Sequence, residues 1–100
     1  MIQKKEKPLR FVNEDIYNLM VNELEKNNIH FFDVDATAIV DGDNLEISVR
    51  YGETFKHGTS CYFKKQALEA PYNDILNFFK YTTAACHRIF ISEYFKMIMP

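Results

Sequence analysis

The stretch Phe32–Tyr51, FDVDATAIVDGDNLEISVRY, decides the fold, because its apolar residues recur at every second position on either side of one polar turn. Phe32, Val34, Ala36, Ala38 and Val40 alternate with Phe31, Asp33, Asp35, Thr37 and Ile39, and Leu45, Ile47, Val49 and Tyr51 alternate with Glu46, Ser48 and Arg50. Asp41-Gly42-Asp43-Asn44 supplies the turn as a four-residue loop. That turn places Val40 opposite Leu45, Ala38 opposite Ile47 and Ala36 opposite Val49, so both apolar rows share one sheet face.

A third strand, about Phe55 to Phe63, follows. A two-residue loop would turn Lys56, Gly58 and Ser60 toward the core. A three-residue loop puts Phe55, His57, Thr59, Cys61 and Phe63 there instead, and this is the parity expected. It sets Lys56 beside Arg50 and Asp35 on the opposite face.

Helical periodicity flanks the strands. Upstream, Asn13 reads as an N-cap, with Glu14 and Asp15 at the positive end of the helix dipole and Val12 and Tyr17 as a staple. Ile16, Leu19, Met20 and Leu24 form the stripe, and Asn27-Asn28 a left-handed stop. Downstream, after a short turn at Gln66 to Ala70, Tyr72 to Ile98 carries the stripe Ile75, Leu76, Phe79, Thr82, Cys86, Ile89, Phe90 and Met97, with Tyr81-Thr82-Thr83 as a point of breakage. The fold class expected is α+β: a three-stranded antiparallel meander packed on one face by an N-terminal helix and a long, breakable C-terminal helix. Residues 1–10 are expected to be a flexible basic arm and 11–100 a single domain.

Composition is consistent with this. The chain has 100 residues, is 47% apolar and holds nine Phe and six Tyr, enough large side chains for one core. Three Gly and three Pro leave no linker, and no apolar run approaches the roughly 20 residues of a membrane span. No signal-peptide pattern follows Met1, so a cytoplasmic protein is expected. The formal charge of −2 hides an uneven distribution: +3 over Met1–Arg10, −7 over Phe11–Arg50 and +2 over the rest.

The feature that bears most on function is a second apolar stripe. At 100° per residue, Ile91, Phe95 and Ile98 lie on a sector that Asn77, Lys80 and Arg88 keep polar one or two turns earlier, and with Tyr94 they make an anchor patch. A partner interface accounts for such a stripe, as does a twofold dimer, and as does a bend, or docking of the first helix, that takes both stripes into one core. Asp33, Asp35, Asp41, Asp43 and Glu46 add an acidic rim suited to a basic or nucleic-acid-binding site. The reading is a small regulatory or inhibitory protein that binds a protein partner stoichiometrically, without chemistry or cofactor. Its size, element order and composition are of a kind common among phage and mobile-element inhibitors, although no motif carries that likeness. The alternative is a nucleic-acid accessory protein using Lys4, Lys5, Lys7 and Arg10 of the arm with Arg50, Lys56, Tyr62 and Lys64 of the sheet.

Catalytic and metal signals are weak. Asp33 and Asp35 have the spacing of a DxD cation ligand on one strand face, but Arg50 is expected across from Asp35 and an ion pair is the simpler account. Asp41–Asn44 lacks the ligand ladder of a calcium loop. His30, His57 and His87 fall on separate elements, Cys61 and Cys86 form no CxxC pair, and adjacent Cys86 and His87 point about 100° apart on a helix, so no dyad is encoded locally.

Overall fold

The computed structural model describes residues 5–98, the side chains of 95–98 excepted. Along the chain run β1 (Lys7–Pro8), α1 (Leu9–Val12), α2 (Glu14–Lys26), β2 (Val34–Asp41), β3 (Asn44–Tyr51), β4 (His57–Phe63) and α3 (Asn73–Ile98), with 3-10 turns at Phe31–Asp33, Glu53–Phe55 and Lys65–Leu68. The strands form one antiparallel sheet in the order β1-β2-β3-β4, with α2 and α3 over one face. This is the α+β architecture expected, with four strands rather than three.

The added strand comes from the segment read as a flexible arm. Lys7 pairs with Ala38 and Pro8 with Thr37. Leu9 next to them is fully buried in the core, a burial that contributes about 2 kcal/mol. Glu6 joins this anchorage by accepting two hydrogen bonds from the Arg50 guanidinium, at 3.0 and 3.1 Å.

Asn13 ends one helix and starts the next. Its amide donates to the Leu9 carbonyl at 2.9 Å, and its Oδ1 accepts from the Ile16 amide at 3.1 Å, capping α2. Ile16, Met20 and Leu24 are buried, with Leu19 at the margin. At the other end Asn28 takes a φ of 58°, and the amides of Asn28 and Ile29 return to the carbonyls of Glu25 and Leu24. This is the 5→2 and 6→1 pairing of a Schellman stop, closed by Ile29 packing into the same core as Leu24.

Between β2 and β3, Val40 faces Leu45, Ala38 faces Ile47 and Ala36 faces Val49, as the alternation predicts. The loop is two residues rather than four, because Asp41 pairs with Asn44; of the two turn residues Gly42 alone has positive φ, at 61°, the pattern of a type II′ hairpin. The parity of β4 is also as expected, with His57, Thr59, Cys61 and Phe63 opposite Tyr51, Val49, Ile47 and Leu45. Its register differs by two residues. The loop runs over five residues, 52–56, so Gly58 rather than Lys56 lies across from Arg50, and Phe55 is in the loop rather than on the core face. A two-residue shift preserves side-chain parity, and for that reason alternation alone does not detect it.

α3 is continuous. Thr82 and Thr83, where a break was expected, are buried with their hydroxyls bonded: Thr82 to the Thr59 hydroxyl at 3.0 Å, and Thr83 both to the Lys80 carbonyl and to the Asn27 amide. These bonds satisfy the polar atoms where α3 crosses β4 and the end of α2, so the threonines pack there without interrupting the helix.

Candidate interaction surface

α3 descends antiparallel to β4. Phe78 meets Phe63 edge-on with centroids 5.6 Å apart, Thr82 meets Thr59, and Glu93 reaches the loop that follows β3. Five more residues of helix follow Glu93. The end of α3 and the loops at that end of the sheet therefore enclose a cleft of about 720 Å³. Ile89 and Phe90 supply apolar wall from the helix, Phe32 from the turn before β2, and Phe55 from the loop before β4.

Both aromatic lips are held out by local geometry. His30 Nδ1 accepts from the Phe32 amide at 3.2 Å and caps the turn Phe31–Asp33. The rings of His30, Phe31 and Phe32 cluster with centroids 4.2–4.8 Å apart, leaving Phe32 74% exposed. Across the cleft, Thr54 and Phe55 have φ of 56° and 54°, a conformation unfavourable for a β-branched or bulky residue. Phe55 is 45% exposed. The Glu93 carboxylate clasps this loop, accepting from the Glu53 amide through both oxygens at 2.9 and 3.2 Å. Gly52 allows the clasp: its φ is 86°, and a Cβ there would stand 2.7 Å from the His57 ring. Asp33, Glu53 and Lys56 complete the rim.

On the other side of the helix, Ile91 and Tyr94 border a second, apolar cleft of about 490 Å³ with Asn28, Ile29, His87 and Phe90. Ile91 is 44% exposed and Tyr94 60%. The side chains of Phe95 and Ile98, predicted as further anchors, lie outside the described residues.

The acidic rim is divided. Asp33 and Asp35 sit at the cleft end of the sheet, whereas Asp41 and Asp43 are at the hairpin, seven or so strand residues and about 23 Å away, with Glu46 on the outer face near the hairpin. Asp33 belongs to the 3-10 turn, so the expected DxD pair does not lie on one strand; the chain does not become extended until Val34. Asp35 does lie across from Arg50, with an oxygen 3.9 Å from the guanidinium.

The residues of the nucleic-acid alternative are scattered. Lys4 is outside the described residues, Lys5 is exposed, Lys7 lies in β1, and Arg10 stacks over Phe11 at 4.7 Å. Arg50 is engaged by Glu6, whose bonds raise its pKa and in return hold the Glu6 carboxyl below its usual range. Lys56 is in the loop, Tyr62 donates to Asp41 at 3.2 Å, and Lys64 follows β4 at the far end.

Alternation alone assigns Phe32 and Phe55 to the core face of the sheet and leaves Glu93 without a role. A signal did exist for Phe32, since Phe31-Phe32 breaks the alternation that begins at Val34. Nothing local marks Glu93 as a loop clasp, because its partner is 40 residues away.

Among the described residues no group of three or more His, Cys, Asp or Glu is placed to hold a metal, and no helix is long and apolar enough to cross a membrane. Cys86 is fully buried, and burial, then the negative charges of Asp33 and Glu93, push its thiol up to about 12. His87 donates from Nδ1 to the Asn27 carbonyl at 3.2 Å. Comparison with known proteins finds no matching family model, curated protein or solved structure.

Proposed function

We propose that the protein is a stoichiometric protein-binding module that regulates or inhibits a larger partner by covering part of its surface, with no chemistry of its own. The observation that carries this reading is the end of α3, where Ile91 and Tyr94 stand exposed beside an apolar cleft. Large apolar side chains grouped on a projecting element are the usual anchors of an interface, since their burial against a partner releases the water they order. The protonated, enclosed Cys86 thiol is a poor nucleophile, which favours binding over thiol catalysis.

The test is site-specific photocrosslinking in the native cell. A benzophenone side chain at position 91 or 94 is expected to give discrete protein adducts, and the same probe at Asn77 or Lys80 none. Absence of adducts at 91 and 94 overturns the reading, and an adduct of twice the chain mass identifies the partner as a second copy.

A further inference from the structure

We propose that the cleft between Phe32, Phe55 and α3 receives a segment of the partner protein that presents an aromatic or branched apolar side chain next to a lysine or arginine. The inference rests on the protein-binding reading and assigns it a second surface, distinct from the Ile91–Tyr94 face, together with the chemistry of what enters.

Three observations converge. The walls, from Phe32, Phe55, Ile89 and Phe90, are apolar, and about 720 Å³ is ample for one large side chain and its neighbours. The loop adopts positive φ at Thr54 and Phe55 and leaves the Phe55 ring exposed, so conformational strain is spent on a display that leaves the ring out of the core. The rim is also electrostatically lopsided: Asp33, Glu53 and Glu93 face a single Lys56. Among the described residues, none of these three carboxylates forms an ion pair. An occupant with an apolar anchor and an adjacent cation meets both the walls and the rim, whereas an acidic segment meets repulsion.

The full-length chain is tested against phage-displayed random dodecapeptides, and the enriched sequences are resynthesised with a fluorescein label for anisotropy titration. Enriched peptides are expected to carry Phe, Trp, Leu or Ile within two positions of Lys or Arg. Phe32→Ala, which removes an exposed ring and leaves the core untouched, is expected to weaken binding by about thirtyfold, as for an interface hot spot. Asp33→Asn and Glu53→Gln are expected to weaken it by about two- to fivefold each, as for solvent-exposed ion pairs. Lys56→Gln should tighten it, and Phe11→Ala, an exposed aromatic outside the cleft, should leave it unchanged.

No enrichment, enrichment without basic residues, or indifference to Phe32→Ala overturns the proposal. So does a dimer in light scattering that Asp33→Lys dissociates, because the occupant is then a second copy. Crosslinks at positions 91 and 94 that persist through such a failure leave the protein-binding reading standing; loss of both removes it.

Discussion

Cys86 owes its chemistry to position. It lies on the inward side of α3, where burial and the nearby carboxylates raise the thiol to about 12, so the neutral form is favoured well above the ordinary value of 9. The unfolded chain therefore loses this proton first as pH rises, and stability declines between about 9 and 12. In native protein at pH 8, a thiol reagent should label half-buried Cys61 and spare Cys86; Cys86→Ala should flatten the alkaline part of the stability profile in urea melts. Rapid labelling of both thiols would show that Cys86 is accessible. The sequence made this role legible, since Cys86 falls on the stripe with Phe79 and Thr82. Leu9 was not legible: set among Lys4, Lys5, Lys7 and Arg10 it has no periodic context, and only the pairing of Lys7 and Pro8 with β2 carries it inward.

Among the elements, the register of β2 against β3 was readable to the residue because each apolar position in one strand constrains its opposite in the other, whereas the start of β2 and the length of its turn were not. The loop from Gly52 to Lys56 was not, because its conformation depends on the Glu93 carboxylate and on positive φ at residues with no turn propensity. Thr54 is a direct probe of that strain. Replacing it with glycine removes the Cβ that disfavours φ near 56°, and Thr54→Gly should raise unfolding stability by about 1 kcal/mol if the clasp holds the loop in place. Denaturant titration measures this. A loss of stability instead would mean that the extra freedom gained by the unfolded chain outweighs the strain. α3 shows the reverse relation between sequence and structure: Thr82 and Thr83 have low helix propensity, yet tertiary hydrogen bonds to Thr59 and Asn27 occupy their hydroxyls and the helix runs through.

At the scale of the whole molecule, the slab measures 50 × 33 × 17 Å, and its radius of gyration of 14.4 Å exceeds the ~13 Å of a compact chain of this length. A helix of 26 residues, roughly 39 Å long, is longer than strands of seven or eight residues can underlie, and its apolar periodicity continues to the end. The part of the surface legible in sequence was this excess of apolar helix; the opposing lips, Phe32 and Phe55, became part of a cleft only when distant loops were brought together. The excess yields a prediction that separates interface from core. If Ile91 serves a partner, Ile91→Asp should cost about 1 kcal/mol or less, as for a surface substitution, while abolishing the crosslinks formed from position 94. Phe79→Ala, in the buried half of the same helix, should cost about 3–5 kcal/mol. Equal losses from the two substitutions in thermal and urea melts would place Ile91 inside the protomer's own packing, and the end of α3 would then be a structural strut with nothing left to offer a partner.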